Sequence, residues 1–446
     1  MALPDDQRRT ILKVLMTSLL LDLISFTFIL PLFPSLLTFY RNQDPSPASL
    51  LNRISHYLNA YKNAFAKPID SRYDIVLLGG ALGSLFSFLQ ALAAPFIGHL
   101  SDKHGRRATL LASMAGNALS VALWVAATDF RTFLASRVVG GLSEGNVQLA
   151  NAIAADISDE SQRGATMALV GACFSVAFTC GPALGAALAS VTTVAANPFA
   201  TAAGFSLLLI LVESAYLYLR LPETHPRLTA LKHSKSGDDD KPGEKPSARS
   251  TATATPRKQT NRPALLNAIH LLFLLPFSGL EFSLPFLTAT LYADSGSTSS
   301  PAALNGRLLS LMGLIASLLQ ATFVRRLSPL LIVRAGVVAC TISFFLLARV
   351  ESIPGLYAAG ALLAVTSATV VTGLNSLGSL EAAEGERGAV LGRLRSCGQV
   401  GRAVGPVLFC SLFWWAGREV AYWSGGLAML GVCAGVFLAL KEPAPV

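Results

Sequence analysis

The sequence predicts an all-α membrane protein whose twelve transmembrane helices form two pseudo-symmetric halves of six. Three observations lead to this prediction: the composition, the length of the apolar runs and an internal repeat. Only 14% of the 446 residues are charged and 52% are hydrophobic, whereas about a quarter of the residues of a typical soluble protein are charged. This composition excludes an ordinary soluble enzyme.

The apolar runs have the length of membrane helices rather than of barrel strands. A helix needs about 20 apolar residues to cross a bilayer, and a barrel strand is about half as long with an alternating pattern. The runs here are apolar on all sides. The predicted spans are 11–38, 74–97, 108–128, 132–155, 165–190, 199–220, 263–291, 304–324, 330–349, 353–378, 389–415 and 420–440.

Two polar segments divide the chain. Residues 40–73 form a predicted outer loop, and their apolar residues recur at helical spacing. This pattern indicates an amphipathic surface helix, and a helix that caps the bundle is favoured over a binding element. Residues 226–262 are rich in Lys, Ser, Thr, Asp and Pro, which predicts a disordered cytoplasmic linker. The N-terminal half is therefore 1–225, and the C-terminal half is 263–446.

The two predicted halves resemble each other in sequence. Residues 83–91 align without a gap with 313–321, and this alignment matches Gln90 with Gln320. A second match pairs Arg-Gly-Ala and a later Gly-Pro, at 163–165 and 181–182, with the same residues at 387–389 and 405–406. Parallel repeats of this kind build transporters whose substrate site lies between two moving halves. We therefore expect Gln90 and Gln320 to line a central cavity.

The net charge of +9 does not require a nucleic-acid partner. The basic residues concentrate near the N-terminus, in the loop after span 2 and in the linker. Because cytoplasmic loops carry an excess of Lys and Arg, this distribution predicts that both termini are cytoplasmic. It leaves open whether the protein lies in the plasma membrane or an organelle membrane.

The loop after span 2 reads GHLSDKHGRR at residues 98–107. Glycines allow tight turns, and an acid beside a basic cluster can form charge pairs that close the inner end. A positive-inside anchor would explain the arginines but neither the acid nor the glycine spacing. The pattern resembles the G-x-L-x-D-x-x-G-R-R motif of the major facilitator superfamily. The resemblance implies a cytoplasmic gate made by Gly98, Asp102, Gly105, Arg106 and Arg107, of which the second half retains only Arg325 and Arg326.

Span 4 places ionisable groups within the membrane. Arg137 and Glu144 are seven residues apart and share one helix face, with Asn146 close behind. Their segment resembles the R-x-x-x-G signature of the superfamily, and buried charges usually mark ion or substrate paths. A hydrolase G-x-S-x-G reading is rejected because its serine needs a strand-to-helix turn and a His partner. We expect these three residues in the central cavity, each charge with a partner on another helix or facing water.

Span 5 carries Gly171, Gly181, Pro182 and Gly185. A proline frees a backbone carbonyl and kinks a helix, and small neighbours let another helix approach closely. Ordinary small-residue packing is the alternative. The pattern resembles the glycine-proline motif that distinguishes antiporters within the superfamily, which implies an antiporter helix bend.

Asp22 lies about 16 Å into span 1 at 1.5 Å per residue, close to the membrane midplane. A carboxyl in so apolar a place can hold a proton and release it when the cavity fills with water. Its spacing from Pro31 and Pro34 resembles that of tetracycline transporter-like proteins of the drug:proton antiporter branch. We expect Asp22, together with Glu144, to couple protons. A buried Asp tied to a neighbouring helix is the alternative.

Span 11 contributes Arg402 at a similar depth, and span 7 contributes Glu281 nearer the outer face. A guanidinium cannot lose its proton, so Arg402 should meet an anionic substrate or a carboxylate, with Asp22 or Glu144 as candidates. Arg402 and Glu281 are therefore assigned to the central cavity. Arg395 is expected to snorkel to the inner surface, and Glu213 of span 6 to be structural.

The sequence predicts a transporter and not an enzyme. It contains no catalytic triad, metal-ligand cluster, P-loop or dinucleotide motif, so we expect no cofactor, no metal, and a proton gradient as the energy source. The predicted function is proton-coupled antiport of amphipathic organic solutes, drug-like or anionic, by a monomer in the lipid bilayer. A metabolite uniporter or symporter, or a non-transporting membrane scaffold or receptor, is the alternative.

Overall fold

The computed structural model describes residues 4–29, 32–64, 74–189, 191, 194, 197–229, 260–295 and 301–443. Helices make up most of these ranges, a 3-10 turn lies at Val324–Arg326, a short helical turn lies at 226–229, and no β-strand occurs among the described residues. The helices are α1 (Asp5–Thr27), α2 (Phe33–Gln43), α3 (Leu50–Asn63), α4 (Asp74–His104), α5 (Arg106–Val125), α6 (Phe130–Ser143), α7 (Asn146–Asp156), α8 (Glu160–Ala189), α9 (Ala200–Arg220), α10 (Pro263–Ser295), α11 (Pro301–Thr322), α12 (Pro329–Ala348), α13 (Ile353–Glu381), α14 (Arg387–Ala416) and α15 (Arg418–Ala439).

The predicted all-helical class is confirmed. Ten helices of the described residues are long and apolar enough to cross a membrane. Helices α6 and α7 are too short to be among them, and α14 carries Arg393, Arg395 and Arg402 in its interior. The count of twelve spans in two halves of six stays a prediction.

The first predicted span, 11–38, is wrong as a single helix. Helix α1 ends at Thr27, and α2 begins at Phe33 and continues to Gln43. Pro34 lies in the first turn of α2, where its missing N–H removes no hydrogen bond. Pro31 lies outside the described residues.

The fourth predicted span, 132–155, is also not a single helix. Helix α6 ends at Ser143 and α7 begins at Asn146, with the backbone of Glu144 out of helical conformation. The Ser113 hydroxyl of α5 satisfies the break on both sides: it donates to the Ser143 carbonyl and accepts from the Gly145 N–H at 2.9 Å. Buried backbone groups need such partners, so α5 stabilises a discontinuity within the bundle.

The buried core divides along the chain into two main clusters. One cluster draws its residues from between Ile11 and Leu221. The other, apart from Ala152, draws them from between Leu266 and Leu440. We call α1–α9 the N-terminal helices and α10–α15 the C-terminal helices. Helix α14 packs lengthwise against both α4 and α10, so it connects the two groups.

The predicted outer loop contains the amphipathic helix α3. Ser49 caps its start by accepting a hydrogen bond from the Asn52 N–H at 3.2 Å, and its apolar face packs onto the N-terminal core. Near its end the Tyr61 hydroxyl donates to the Val407 carbonyl of α14 at 3.2 Å, and its ring meets Trp414. Helix α3 thus touches both groups of helices. Residues 65–73 of this loop lie outside the described residues.

Most of the predicted linker, residues 230–259, also lies outside the described ranges. Its C-terminal end is held by Glu381 of α13, whose carboxylate accepts from the backbone N–H groups of Thr260 and Asn261 at 2.9 and 2.8 Å. The Asn261 side chain also donates to the Lys441 carbonyl and accepts from the Lys441 N–H, each at 2.8 Å. The chain therefore enters α10 from a fixed point beside the end of α15.

The glycines of α8 bring this helix against α1. A side chain at Gly181 would collide with Thr27, and one at Gly185 would collide with the Phe28 backbone. The Thr27 hydroxyl also reaches the Ala177 carbonyl at 3.3 Å. Because a methyl group cannot be accommodated against a fixed backbone, Gly185 sets the distance between the two helices.

We expect Gly185→Ala to destabilise the protein by about 1–3 kcal/mol, since overpacking forces backbone shifts. Gly204→Ala in α9 is the matched control, because nothing lies within 4 Å of an added methyl group there. That variant should gain about 0.5–1 kcal/mol from better helix propensity. Thermal unfolding of the purified protein in detergent measures both changes. Equal melting temperatures for the two variants would contradict the close α1–α8 contact.

Candidate functional site

The Asp102 carboxylate near the end of α4 caps the beginning of α14. Its Oδ1 accepts from the Gly388 N–H at 2.9 Å and its Oδ2 accepts from the Ala389 N–H at 2.7 Å. The first N–H groups of a helix lack intrahelical partners and carry a partial positive charge. A carboxylate from an N-terminal helix therefore satisfies a C-terminal helix at the predicted cytoplasmic end.

A buried charge cluster, which we call the inner clamp, surrounds this cap. Arg106 is fully buried and donates to Asp102 at 2.6 Å and to Asp156 at 2.7 Å. Asp156, at the end of α7, also accepts from Arg387 of α14 at 2.9 Å. Two carboxylates thus balance two guanidinium groups. Such pairing is what keeps buried charges tolerable.

The glycines of the gate motif have two different roles. Gly98 lies within α4, where a side chain would collide with the Gly388 carbonyl, so it permits close helix contact instead of the predicted turn. Gly105 joins α4 to α5 with φ of 101°, a conformation that favours glycine. Glu223 caps α5 beside it, accepting from the Arg106 N–H at 2.9 Å.

Arg107 points away from the inner clamp. Its guanidinium donates to the Tyr218 carbonyl of α9 at 2.5 Å and lies over the ring of the same residue. Of the five residues assigned to the gate, Asp102 and Arg106 thus make the charge contacts. Arg107 secures α5 to α9 instead.

The Arg-Gly-Ala repeat makes related contacts in both places. Arg387 of α14 reaches the Ala155 carbonyl at the end of α7, and Arg163 of α8 reaches the Ser379 carbonyl near the end of α13, both at 3.2 Å. Each arginine thus crosses from one group of helices to the other. Asp156 accepts from arginines, and Glu381 accepts from the end of the linker.

Asp22 lies at the centre of a buried polar cluster. It is 3% exposed, and the side chains of Glu144, Asn146, Asn117 and Arg395 lie close enough to act on its charge. The Asn117 amide donates to Glu144 at 3.2 Å. Because α6 ends at Ser143 and α7 begins at Asn146, the helix break brings the Glu144 and Asn146 side chains towards α1. The structure thus gathers Asp22, which the sequence assigned to proton coupling, with two of the residues assigned to the central cavity.

Arg137 and a small cavity complete this cluster on the side of the N-terminal helices. The Arg137 guanidinium lies over the rings of Phe86 and Phe133, at 5.7 and 5.9 Å from their centroids. The cavity has a volume of about 30 Å³, enough for one or two waters. Residues that line it include Asp22, Asn117, Arg137, Glu144, Ser206 and Ile210.

Glu213 of α9 borders this cluster. It is 1% exposed, its Oε1 accepts from the Ser18 hydroxyl of α1 at 2.6 Å, and its Oε2 is buried without a hydrogen-bond partner among the described residues. Ser18 and Asp22 are one helical turn apart on α1, so Glu213 adjoins the Asp22 cluster. No cation forms an ion pair with Glu213 within the described part of the chain.

The C-terminal helices contribute two arginines to the centre. Arg402 pairs with Glu281 of α10 at 3.7 Å, and their side chains are 44% and 37% exposed. The sequence suggested Asp22 or Glu144 as its partner, and the structure supplies Glu281 instead. Arg395, expected to snorkel to the surface, is the arginine whose charge acts on Asp22 and Glu144.

The two glutamines of the repeat differ in position. Gln320 is buried between α8, α11 and α13, where it accepts from Ser175 at 2.7 Å and donates to the Ala368 carbonyl at 3.2 Å. Gly171 of α8 makes room for its amide. Gln320 thus joins the two groups of helices away from Asp22. Gln90 is 5% exposed and lies on α4 beside Ala91, whose carbonyl accepts from Ser396 of α14 at 2.6 Å.

Sequence reasoning missed Asp156, Asn117 and the position of Arg395. The repeat could have pointed to Asp156. Asp156 lies seven residues before Arg163, and Glu381 lies six residues before Arg387, which is the equivalent arginine of the second half. Asn117 had none, because a single Asn in an apolar helix has no defined partner before the fold is known. No group of three or more His, Cys, Asp or Glu suited to a metal ion occurs in the described ranges.

The sequence model of the Major Facilitator Superfamily matches residues 15–406. The chain belongs to this superfamily. Major facilitator superfamily domain-containing protein 10 of Mus musculus is 35% identical, with 99% of this chain and 95% of that protein covered. The class D tetracycline resistance protein of Salmonella ordonez is 26% identical over 96% of each chain. The predicted resemblance to tetracycline transporter-like members of the superfamily is confirmed.

A solved structure agrees with this assignment. The crystal structure of human MFSD10 (TETRAN), described as an organic anion transporter, aligns with a TM-score of 0.81 and 32% identity, covering 97% of this chain and all of that one. This major facilitator superfamily member is therefore an integral, multi-pass membrane protein. Its family consists of transporters and not of enzymes.

We expect Asp102→Asn to weaken the cap on α14, because an amide accepts through one oxygen and carries no charge for Arg106. The amide hydrogens of Gly388 and Ala389 should exchange at least 10-fold faster, since a hydrogen bond to a charged group contributes about 1.5–3 kcal/mol. Hydrogen exchange of the peptide that contains them measures this change. Asp159→Asn, at an exposed acid of the same end, is the control. Unchanged protection in Asp102→Asn would contradict the cap.

We expect Glu213→Gln to retain the wild-type melting temperature within about 2 °C, because a neutral amide has the shape of a protonated carboxyl and can still accept from Ser18. Glu213→Ala should lose about 1–3 kcal/mol, since the buried Ser18 hydroxyl loses its acceptor. Thermal unfolding in detergent compares the two. Equal destabilisation by both variants would indicate that Glu213 is ionised and bound to a cation.

Proposed function

We propose that this protein is a proton-coupled antiporter of amphipathic organic solutes. The observation that carries the proposal is the carboxyl pair of Asp22 and Glu144, buried around a water-sized cavity that Asn117 and Arg137 also line. Carboxyl groups so far from bulk water are unfavourable when ionised without a close cation. They can therefore exchange protons with water that enters when the centre opens.

Alternating access follows from the inner clamp. Asp102, Asp156, Arg106 and Arg387 hold the N-terminal and C-terminal helices together at the predicted cytoplasmic end. Opening at that end requires these contacts to separate, which makes the clamp a switch between inward-open and outward-open states. We propose two six-helix halves that rock about the central cluster, with both termini in the cytoplasm and the protein acting as a monomer without a cofactor.

The solute class is proposed from the relatives and from the charges at the centre. Human MFSD10 is described as an organic anion transporter, and the bacterial relatives are tetracycline resistance proteins. Both groups of compounds are amphipathic. The helix contact at Gly181 and Gly185 supports antiport, because it is the site of the glycine-proline pattern that antiporters share.

Symport is the second candidate, and one observation favours it for anionic solutes. Arg395 is the cation of the C-terminal helices that acts on Asp22 and Glu144. An anion that binds Arg395 neutralises the positive charge that favours ionised Asp22 and Glu144. The two carboxyls then bind protons more readily. Such a solute would move in the same direction as the proton. A neutral or cationic solute would compete with the proton and exchange for it.

We expect Asp22→Asn to abolish solute accumulation driven by a pH gradient, because the amide cannot carry a proton. Proteoliposomes containing the full chain, radiolabelled tetracycline and an internal pH-sensitive dye measure solute and proton flux together. Wild-type protein should accumulate tetracycline against its gradient, and the accumulation by Asp22→Asn should be at least 10-fold lower. Counterflow exchange without a pH gradient should survive in the variant. The Asp159→Asn variant, changed at an exposed acid, is the control.

The alternatives give different results in the same vesicles. Accumulation by wild-type protein that survives a protonophore indicates a uniporter and contradicts proton coupling. The sign of the proton flux distinguishes exchange from symport. If the wild-type protein carries no flux, and Asp22, Arg137 and Arg402 can all be neutralised without phenotype, the protein is a scaffold or receptor.

A further inference from the structure

We propose that Arg395 is the residue that binds the charged group of an organic anion, with Arg402 as a second positive charge behind it. The two arginines lie seven residues apart on α14 and therefore on one face of the helix, about 10 Å apart along its axis. The inference rests on the proposed function in one respect, namely that the solute enters the central cluster.

The Arg395 side chain is half-buried, and its buried Nε has no hydrogen-bond partner. No carboxylate of the described residues lies within 4.0 Å of its nitrogens. A guanidinium keeps its charge in any environment, and a charge without a close counter-ion is unfavourable in the membrane interior. The site therefore lacks an oxyanion that could accept two parallel hydrogen bonds.

Arg402 is held only loosely by its one ion pair among the described residues. Its distance to Glu281 is 3.7 Å, and more than a third of each side chain is exposed. One turn before it, the Oε1 of Gln399 is buried and has no partner among the described residues. This face of α14 therefore combines two incompletely satisfied positive charges with a free polar group.

Hydrogen bonds from two neighbouring helices fix the backbone on both sides of Arg395. The buried His270 ring of α10 donates through Nδ1 to the Leu394 carbonyl at 2.8 Å, and it fills the space opposite Gly398. On the other side, Ser396 donates to the Ala91 carbonyl of α4 at 2.6 Å. With its two neighbours held by α10 and α4, Arg395 is oriented before any ligand arrives, which reduces the entropy lost on binding.

Acidic and basic groups both lie near Arg395. The charged and titratable groups near it include Asp22 of α1, Arg137 of α6, Glu144 in the break after α6, His270 and Glu281 of α10, and Arg402 of α14, with Glu213 of α9 close to Asp22. Asp22 and Glu144 repel an approaching anion when they are ionised and do not when they are protonated. Proton binding and anion binding at this site therefore favour each other.

The ligand class follows from this chemistry. A carboxylate, or another oxyanion of the same planar or tetrahedral kind, matches the fork of a guanidinium. The amphipathic solute of the proposed function supplies the apolar remainder. We infer an organic monoanion whose charged end lies between Arg395 and the Asp22–Glu144 pair.

The test measures binding alone, at equilibrium and without a gradient, on the full chain in detergent. The probe is 1-pyrenebutyrate, a fluorescent amphipathic carboxylate, and its methyl ester is the neutral comparison. Arg395→Gln should weaken binding of the carboxylate at least 10-fold and leave binding of the ester within 2-fold. Arg395→Lys should show an intermediate loss, because it keeps the charge but not the fork. Arg393→Gln, at an exposed arginine two residues away, should bind like the wild type.

The pH dependence gives a second readout that a merely structural role would not change. Wild-type protein should bind the carboxylate at least 3-fold more tightly at pH 6.0 than at pH 7.5, and the double variant with Asp22→Asn and Glu144→Gln should lose this dependence. Melting temperatures within 3 °C of the wild type identify the variants that are folded, and Arg395→Lys serves if Arg395→Gln is not.

Several results would overturn the inference. It fails if the wild-type protein binds the carboxylate no better than the ester, or if Arg395→Gln weakens both probes equally. These failures are distinct from failure of the proposed function. Proton-driven tetracycline flux that is intact in Arg395→Gln would leave the transporter proposal standing without the anion site. Specific carboxylate binding without proton-coupled flux would do the opposite.

Discussion

The cap on α14 is the contact on which the rest of the arrangement depends. A helix that begins inside the protein needs acceptors for its first N–H groups, and Asp102 of an N-terminal helix provides them. Close approach at Gly98 and Gly388 makes the bond possible. The cap fixes the axial position of α14. It thereby fixes the height at which Arg395 faces Asp22.

The break between α6 and α7 has the complementary effect on the N-terminal helices. A continuous helix would have kept Glu144 on the face of Arg137 and carried Asn146 away from α1. Because Ser113 satisfies the backbone at the break, the chain can turn without exposing unpaired groups to lipid. Glu144 and Asn146 then both face Asp22. Discontinuous helices serve the same purpose in other carriers, where irregular backbone is tolerated only beside a polar cavity.

How far the sequence predicts the molecule depends on whether a feature is local. The apolar runs predicted the helices because hydrophobic length is a property of each segment alone. Asp102 was identified from its motif, but its partners on α14 were not, since they are backbone amides that no inventory of side chains contains. The break at Glu144 lies inside a segment predicted as one span, and its stabilising group, Ser113, is in another helix. The length of the apolar run at 11–38 favoured a single span. The start of α2 beside Pro34 was therefore not predicted.

The arginines of α14 show the same limit for charge. Counting residues from the start of a span gives a depth, and depth alone suggested that Arg395 reaches the surface while Arg402 meets Asp22. The rotation of α14 against α4 and α10 decides which side chain faces which helix. That rotation follows from contacts such as His270 with Leu394 and Ser396 with Ala91. These pairs are more than a hundred residues apart in sequence.

The distribution of the central charges also bears on how the carrier could move. Asp22, Glu144 and Glu213 belong to N-terminal helices, whereas Arg395 and Arg402 lie on α14. Separating the two groups of helices therefore separates opposite charges, and in an apolar interior this is unfavourable unless each side is neutralised first. A proton can neutralise the carboxyls, and an anion can neutralise the arginines. For an anionic solute, as in the symport alternative, the carrier loaded with both a proton and an anion thus moves more easily than the empty, ionised one, and this difference would couple solute movement to protons.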